Sequence, residues 1–196
     1  MIKKINYLLI LIASLGGLFL ALTKQNSIIF ILKDISIIVT ISALYIIEKL
    51  FKIKINDAIK LIYIIFIFMA HFLGVTVDLY SKIYWYDKLV HFLSGVVTAL
   101  GSVYLLEKNN YNKNLLFNVL FIISFSMLVA SIWEVFEYLS SYYFHVDPQK
   151  VILTGVSDTM GDIIVALLGS TLISTCYHFE HTSSYKLLIT KYEKLI

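Results

Sequence analysis

The sequence predicts an all-α fold, a polytopic membrane helix bundle with about six transmembrane helices in a single integral membrane domain, residues 1–196. Three observations carry that prediction. Hydrophobic residues make up 59% of the chain and charged residues only 15%, against about 45–50% and about 25% in soluble domains. Apolar windows recur at the roughly 20-residue length that a bilayer core demands. The lysines separate into two unequal groups once successive windows are laid alternately across a membrane. No repeat, low-complexity tract or Gly/Ser/Pro linker divides the chain, and Pro148 is the single proline.

The expected spans run over Ile5–Leu22, Ile28–Ile47, Ala58–Val77, Leu89–Leu106, Leu115–Glu137 and Thr159–Tyr177. The first follows Lys3 and Lys4, and its alternative is a signal peptide with Ala21 and Thr23 near a cleavage point. Its apolar run exceeds the ~7–15 residues of a signal core, which favours a span. With the windows alternating, Lys3, Lys4, Lys49, Lys52, Lys54, Lys60, Lys108, Lys113, Lys186, Lys191 and Lys194 share one side, and Lys24, Lys82, Lys88 and Lys150 the other. The positive-inside rule therefore sets both termini in the cytoplasm of a bacterial inner membrane. Lys33 stays inside the second window beside Asp34, where the two can pair. The tail from residue 179 turns polar and reads as a cytoplasmic surface segment with no chemistry.

All sixteen basic residues are lysines, a composition expected of a low-GC bacterial genome. The net charge of +3 is thus no footprint of a nucleic-acid partner. Cys176 stands alone, so no internal disulfide forms.

Against this apolar background, three pairs of polar residues recur at helical spacing: Asp87 with His91, Glu134 with Glu137, and Asp158 with Asp162. Separations of three or four residues place both members on one helix face. The first pair opens the fourth window, the second closes the fifth and the third opens the sixth, so all meet at the outer side. His71, in the last turns of the third window, and Asp34 fall in a similar layer some ~5–10 Å deep at 1.5 Å per residue. Tyr80, Tyr84, Trp85 and Tyr86, with Trp133, Tyr138, Tyr142, Tyr143 and Phe144, mark the outer headgroup level. The connection from Ser140 to Ser157 holds an apolar run, Val151–Val156, expected to form an interfacial or re-entrant piece over the site.

Each carboxylate within a span costs about 2.5–3.5 kcal/mol on insertion scales. Shared protons, lysine partners such as Lys88 or Lys33, or a bound cation can offset that cost. Carboxylates with imidazole suit a divalent metal ion, and Asp87, His91, Glu134, Glu137, Asp158, Asp162 and His71 are its candidate ligands. Such an ion polarises a phosphoryl or carbonyl oxygen or activates water, with His91, Glu134 and Asp87 as candidate catalytic residues acting on a membrane lipid or lipid-linked substrate. Plainer roles stand beside these. Asp158 and Asp87 can cap their helices, Lys88 can snorkel to water, His91 and His71 can be hydrogen-bonded core histidines, and Glu137 can be wet. His145, His178 and His181 read as surface residues.

The order of motifs, His71-x-x-Gly74, Tyr80, Tyr86-Asp87-Lys88-x-x-His91-Phe92-x-x-Gly95, Glu134-x-x-Glu137 and Asp158-Thr159-x-x-Asp162 with Gly169, resembles the YjdF-like family of bacterial inner-membrane proteins. It is more distantly similar to VanZ-like proteins, linked to glycopeptide resistance. Tyr138 stands where the YjdF-like motif has Trp, and Lys88 where it commonly has Arg, so a bidentate grip is lost. The resemblance covers about residues 71–170 and implies a multi-span protein without assigning a reaction. Three functions follow: a metal-dependent lipid- or envelope-modifying enzyme, a cation-binding or transport protein, and a non-catalytic envelope factor whose polar cluster is a structural knot. Transport would want polar residues along the inner halves of these helices, which read as apolar.

Overall fold

The computed structural model describes residues 2–23, 36–52, 54–109, 114–145, 147–185, 189 and 191, and they are helical with no strand among them. Two compact units form, Met1–Tyr86 and Asp87–Ile196. Lys33, Asp34 and half of the tail from residue 179 lie outside the described residues.

In the first unit, α1 (Ile2–Thr23) packs on α3 (Asp57–Ile67), which continues through wider π-helical turns over Phe68–Thr76. Residues 36–41 are helical and lead through a turn at Ser42 into α2 (Ala43–Phe51). Thr40 Oγ1 bonds back to the Ser36 carbonyl at 2.8 Å, a local competition of the kind that bends helices. The left-handed Lys52 ends α2, and the Asn56 side chain caps α3 by accepting from the Ala58 N–H at 2.8 Å. Ala13, Ile37, Ile41 and Ile64 form the core, and Gly16 leaves room for the Phe72 ring. Lys60, near the start of the third expected span, is buried, 2.8 Å from Glu48 Oε2 and 3.5 Å from Asp57 Oδ1. A short α4 (Leu79–Lys82) brings the Tyr80 ring onto Gly74, where any β-carbon would collide with it. Tyr80 meets Tyr86 edge-on, and the Tyr86 hydroxyl donates to the Met69 carbonyl at 2.8 Å.

The second unit takes α5 (Tyr86–Lys108) from Asp87 onward, α6 (Leu115–Phe144), the one-turn α7 (Val151–Thr154) and α8 (Ser157–Thr182). Its buried faces keep a four-residue rhythm. On α6 the stripe is Asn118, Ile122, Ser126, Ala130 and Glu134, and on α8 it begins Asp158, Asp162 and Ala166. Lipid supplies no hydrophobic force between helices, so small residues and hydrogen bonds drive their association. A β-carbon on Gly95 would land on the Ala166 carbonyl, and one on Gly169 on the Phe92 carbonyl, so α5 and α8 approach backbone to backbone. The opposite face of α6 is the apolar one: Leu116, Leu120, Leu128, Ile132 and Phe136 are all more than half exposed.

The far half of this interior is more polar than its sequence suggests, with Ser102, Asn118, Ser126, Ser170 and Ser174 buried. Most of these groups are satisfied locally. Ser102 and Ser170 bond carbonyls three residues back, at 2.7 and 3.0 Å, and Asn118 Nδ2 donates to the Tyr177 hydroxyl at 2.9 Å.

Four helices are long and apolar enough to cross a membrane: Asp57–Thr76, Tyr86–Lys108, Leu115–Phe144 and Ser157–Thr182. They coincide with the third to sixth expected spans. The first expected span is a helix with an apolar stretch over Lys4–Phe19, and the second falls partly outside the described residues. At 30 residues, α6 is about 45 Å long, so its end outruns a ~30 Å hydrocarbon core. That end carries Tyr138, Tyr142, Tyr143 and Phe144, all exposed, as an interfacial belt requires.

Candidate functional site

Backbone-close packing at Gly95 and Gly169 brings the residues one and two turns above it together. On α5 these are His91, Asp87 and Lys88, and on α8 they are Asp162 and Asp158. Neither Asp158 nor Asp87 caps its helix. Both lie within the first turn, and their side chains turn to lysines instead.

His91, 8% exposed, is the centre of the cluster. Its Nε2 is 3.6 Å from Asp87 Oδ1 and 3.7 Å from Asp162 Oδ1, while its Nδ1 is 4.0 Å from Glu134 Oε1. One ligand atom each from Asp87, His91 and Asp162 lie within 4.8 Å of one another. Metal–ligand bonds of about 2.0–2.2 Å place neighbouring donors roughly 3–3.5 Å apart, so the trio is close to a three-donor metal site. Glu134 stands on the opposite ring nitrogen, the place of the carboxylate that orients a ligating histidine.

Two ammonium groups enter the same cluster. Lys88 Nζ donates to Asp158 Oδ1 at 2.5 Å and Asp162 Oδ1 at 2.8 Å, and is 3.7 Å from Asp87 Oδ2. Lys150 Nζ donates to Asp87 Oδ2 at 2.5 Å and is 3.4 Å from Asp158 Oδ2. Burial pulls the Lys150 ammonium down, but its hydrogen bond to Asp87 and the charges of Asp87 and Asp158 outweigh that and hold its pKa above the usual 10.5. With the carboxylates of Asp87, Glu134, Asp158 and Asp162 all ionised, two lysines leave two negative charges uncompensated.

Gln149 and Lys150 reach the cluster because the connection before α7 is tightly built. The Asp147 carboxylate accepts from the N–H groups of Val151 and Ile152 at 2.8 and 3.2 Å, and Lys150 adopts left-handed backbone angles at φ 51°. Gln149 Nε2 then donates to both the carbonyl and Oε2 of Glu134, each at 3.1 Å. Sequence reasoning expected the apolar run Val151–Val156 to cover the site. Ile152 and Leu153 are 85% and 86% exposed, and the polar pair before them makes the contacts with the cluster.

Of the other expected ligands, Glu134 and Asp158 join the cluster through His91 and the lysines, and the contacts of Glu137 and His71 are local. Glu137 accepts from Trp133 Nε1 at 2.8 Å, an exposed bond along α6. His71 belongs to the first unit, where its Nδ1 is 3.4 Å from Thr40 Oγ1. The sequence does not single out Lys150 or Gln149 as site residues, and the one signal it offers is their place directly after Pro148 in the connection between the fifth and sixth windows.

A family profile described as "Predicted membrane protein (DUF2238)" matches residues 5–183. The chain belongs to this family. Over 142 residues it is 25% identical to an uncharacterized protein of Thermotoga maritima, covering 72% of each chain. No solved structure matches. Membership in DUF2238 accounts for the multi-pass membrane architecture and fits the YjdF-like motifs, while the likeness to VanZ-like proteins rests on sequence motifs alone.

Proposed function

We propose that this DUF2238 protein is a six-helix bacterial inner-membrane protein, both termini cytoplasmic, that holds a divalent cation at the outer leaflet and acts on a lipid or lipid-linked envelope group. The observation that carries this reading is the position of His91 Nε2, 3.6 and 3.7 Å from two carboxylate oxygens on two different helices. Asp87, His91 and Asp162 would be the ligands. A cation bound there would polarise a phosphoryl or carbonyl oxygen or activate a water. Glu134, outside the trio and held by Gln149, is the group left to orient His91 or accept a proton.

One observation favours a second reading, a non-catalytic structural knot: Lys88 already bridges Asp158 and Asp162 with an ammonium. Metal analysis of the purified protein separates the two. The metal reading expects stoichiometric Mn, Fe or Zn in the wild type and its loss in His91→Ala and Asp162→Asn. Metal-free protein, equally stable in all three forms, would favour the knot. Lipid profiling of a deletion strain then tests the enzymatic part, which expects one envelope lipid or glycolipid to accumulate.

A further inference from the structure

We infer that Lys88 and Lys150 are built-in counter-ions which the divalent cation displaces, and that they then hold an anionic phosphate group of the substrate. This rests on the metal reading of Asp87, His91 and Asp162 and names the substrate class of that site.

Both carboxylates that face His91 Nε2 are gripped by ammonium groups. Asp162 Oδ1, 3.7 Å from His91 Nε2, is the oxygen to which Lys88 donates at 2.8 Å. Asp87 offers one oxygen toward His91 at 3.6 Å and the other to Lys150 at 2.5 Å. A divalent cation on Asp162 Oδ1 would sit almost against the Lys88 ammonium, and like charges at such range repel strongly outside bulk water. Lys88 must therefore leave Asp162, and Lys150 loses much of the attraction of Asp87.

Asp158 is where they go. It lies outside the trio and already holds Lys88 at 2.5 Å, with Lys150 3.4 Å from its other oxygen. One carboxylate then serves two ammonium groups, so one positive charge is left on the lysine side of the cation, while the Glu134 carboxylate that balances it lies across the His91 ring. Gly161 provides the space, because a β-carbon there would come within 3.2 Å of Lys88 Cε. With side chains 32% and 36% exposed, both lysines can be reached from outside the cluster. A neutral carbonyl substrate has no use for such an excess. A phosphate monoester or diester does, since lysines bind phosphate as point charges.

The test uses the full-length protein in phosphatidylcholine nanodiscs, with Mn²⁺ binding read by electron paramagnetic resonance. Lys88→Met and Lys150→Met should each bind Mn²⁺ about tenfold more tightly, within the usual span of coupling between two binding events. In the Mn²⁺-loaded state both should bind inorganic phosphate, or phosphatidic acid added to the discs, about tenfold more weakly than the wild type. Preference for phosphatidic acid over inorganic phosphate would assign the group to a lipid headgroup, and the reverse to a soluble phosphate. Unchanged or weaker Mn²⁺ binding in both variants overturns the displacement while leaving the metal site standing. Absence of Mn²⁺ binding in the wild type, with no change in Asp162→Asn, removes the metal reading itself. Lys150 lies in the connection before α7, so its variant keeps the test open if Lys88→Met does not fold.

Discussion

The carbonyl oxygen of Ala166 occupies the place that a β-carbon on Gly95 would take. This approach of α5 to α8 lies one helical turn from His91 and from Asp162, so the spacing of the two backbones sets whether those side chains can meet. Gly95→Ala should therefore destabilise by about 1–3 kcal/mol, the usual cost of overpacking. Gly101, on the same helix, has nothing within 4 Å of its would-be β-carbon. Gly101→Ala should be neutral or gain up to about 1 kcal/mol from helix propensity. Thermal melts in detergent measure both, and equal effects would contradict the packing asymmetry.

Gln149 is the sole described donor to the Glu134 carboxylate, and it also satisfies the Glu134 carbonyl. Gln149→Ala would leave a buried carboxylate oxygen without that donor, at a cost of about 1–3 kcal/mol. Gln149→Glu should cost more, because it sets a second carboxylate against the first. If instead both variants melt with the wild type, water rather than Gln149 satisfies Glu134.

What the sequence could disclose of this site depended on periodicity. Asp87 with His91, and Asp158 with Asp162, are four-residue pairs opening apolar helices, and that spacing alone put each pair on one face. Their convergence followed from helices that alternate across a membrane. Gln149 and Lys150 carry no such signal, because a residue in an irregular connection has no repeat to fix its direction, and theirs is set by the Asp147 cap and the left-handed turn at Lys150. The same limit holds for Val151–Val156. Hydropathy identified the run as apolar, but only the turn before it decides which way it points. Glu137 adds a contact at the other helical spacing: it stands three residues from Glu134, and its hydrogen bond comes from Trp133, four residues back.

Ser126 offers a test of the buried stripe on α6. It is 1% exposed, and its hydroxyl has no hydrogen-bond partner among the described residues. Removing an orphaned polar group can be neutral or stabilising, so Ser126→Ala should leave stability unchanged or raise it by up to about 1 kcal/mol. Alanine also keeps the small cross-section that close helix packing needs. A clear loss of stability would mean that an internal water or another polar group holds this hydroxyl.

In the first unit, Glu48 predicts a specific acid response. Burial raises its pKa, but the hydrogen bond from Lys60, the Ile55 N–H at 2.6 Å and the nearby positive charges win, holding it below the usual 4.5. A carboxylate with a depressed folded-state pKa stabilises the fold fully above the unfolded value, and that contribution is lost as pH falls through the folded one. The relevant window therefore opens near 4.5 and extends to lower pH. Glu48→Gln keeps the shape but removes the charge, so the melting-temperature gap between wild type and variant should be constant at neutral pH and shrink below about pH 4.5. Lys60 sharpens the expectation, since it is only 5% exposed and would lose its closest carboxylate in the variant. A gap that stays the same down to about pH 3 would show that Glu48 contributes through packing and not through its charge.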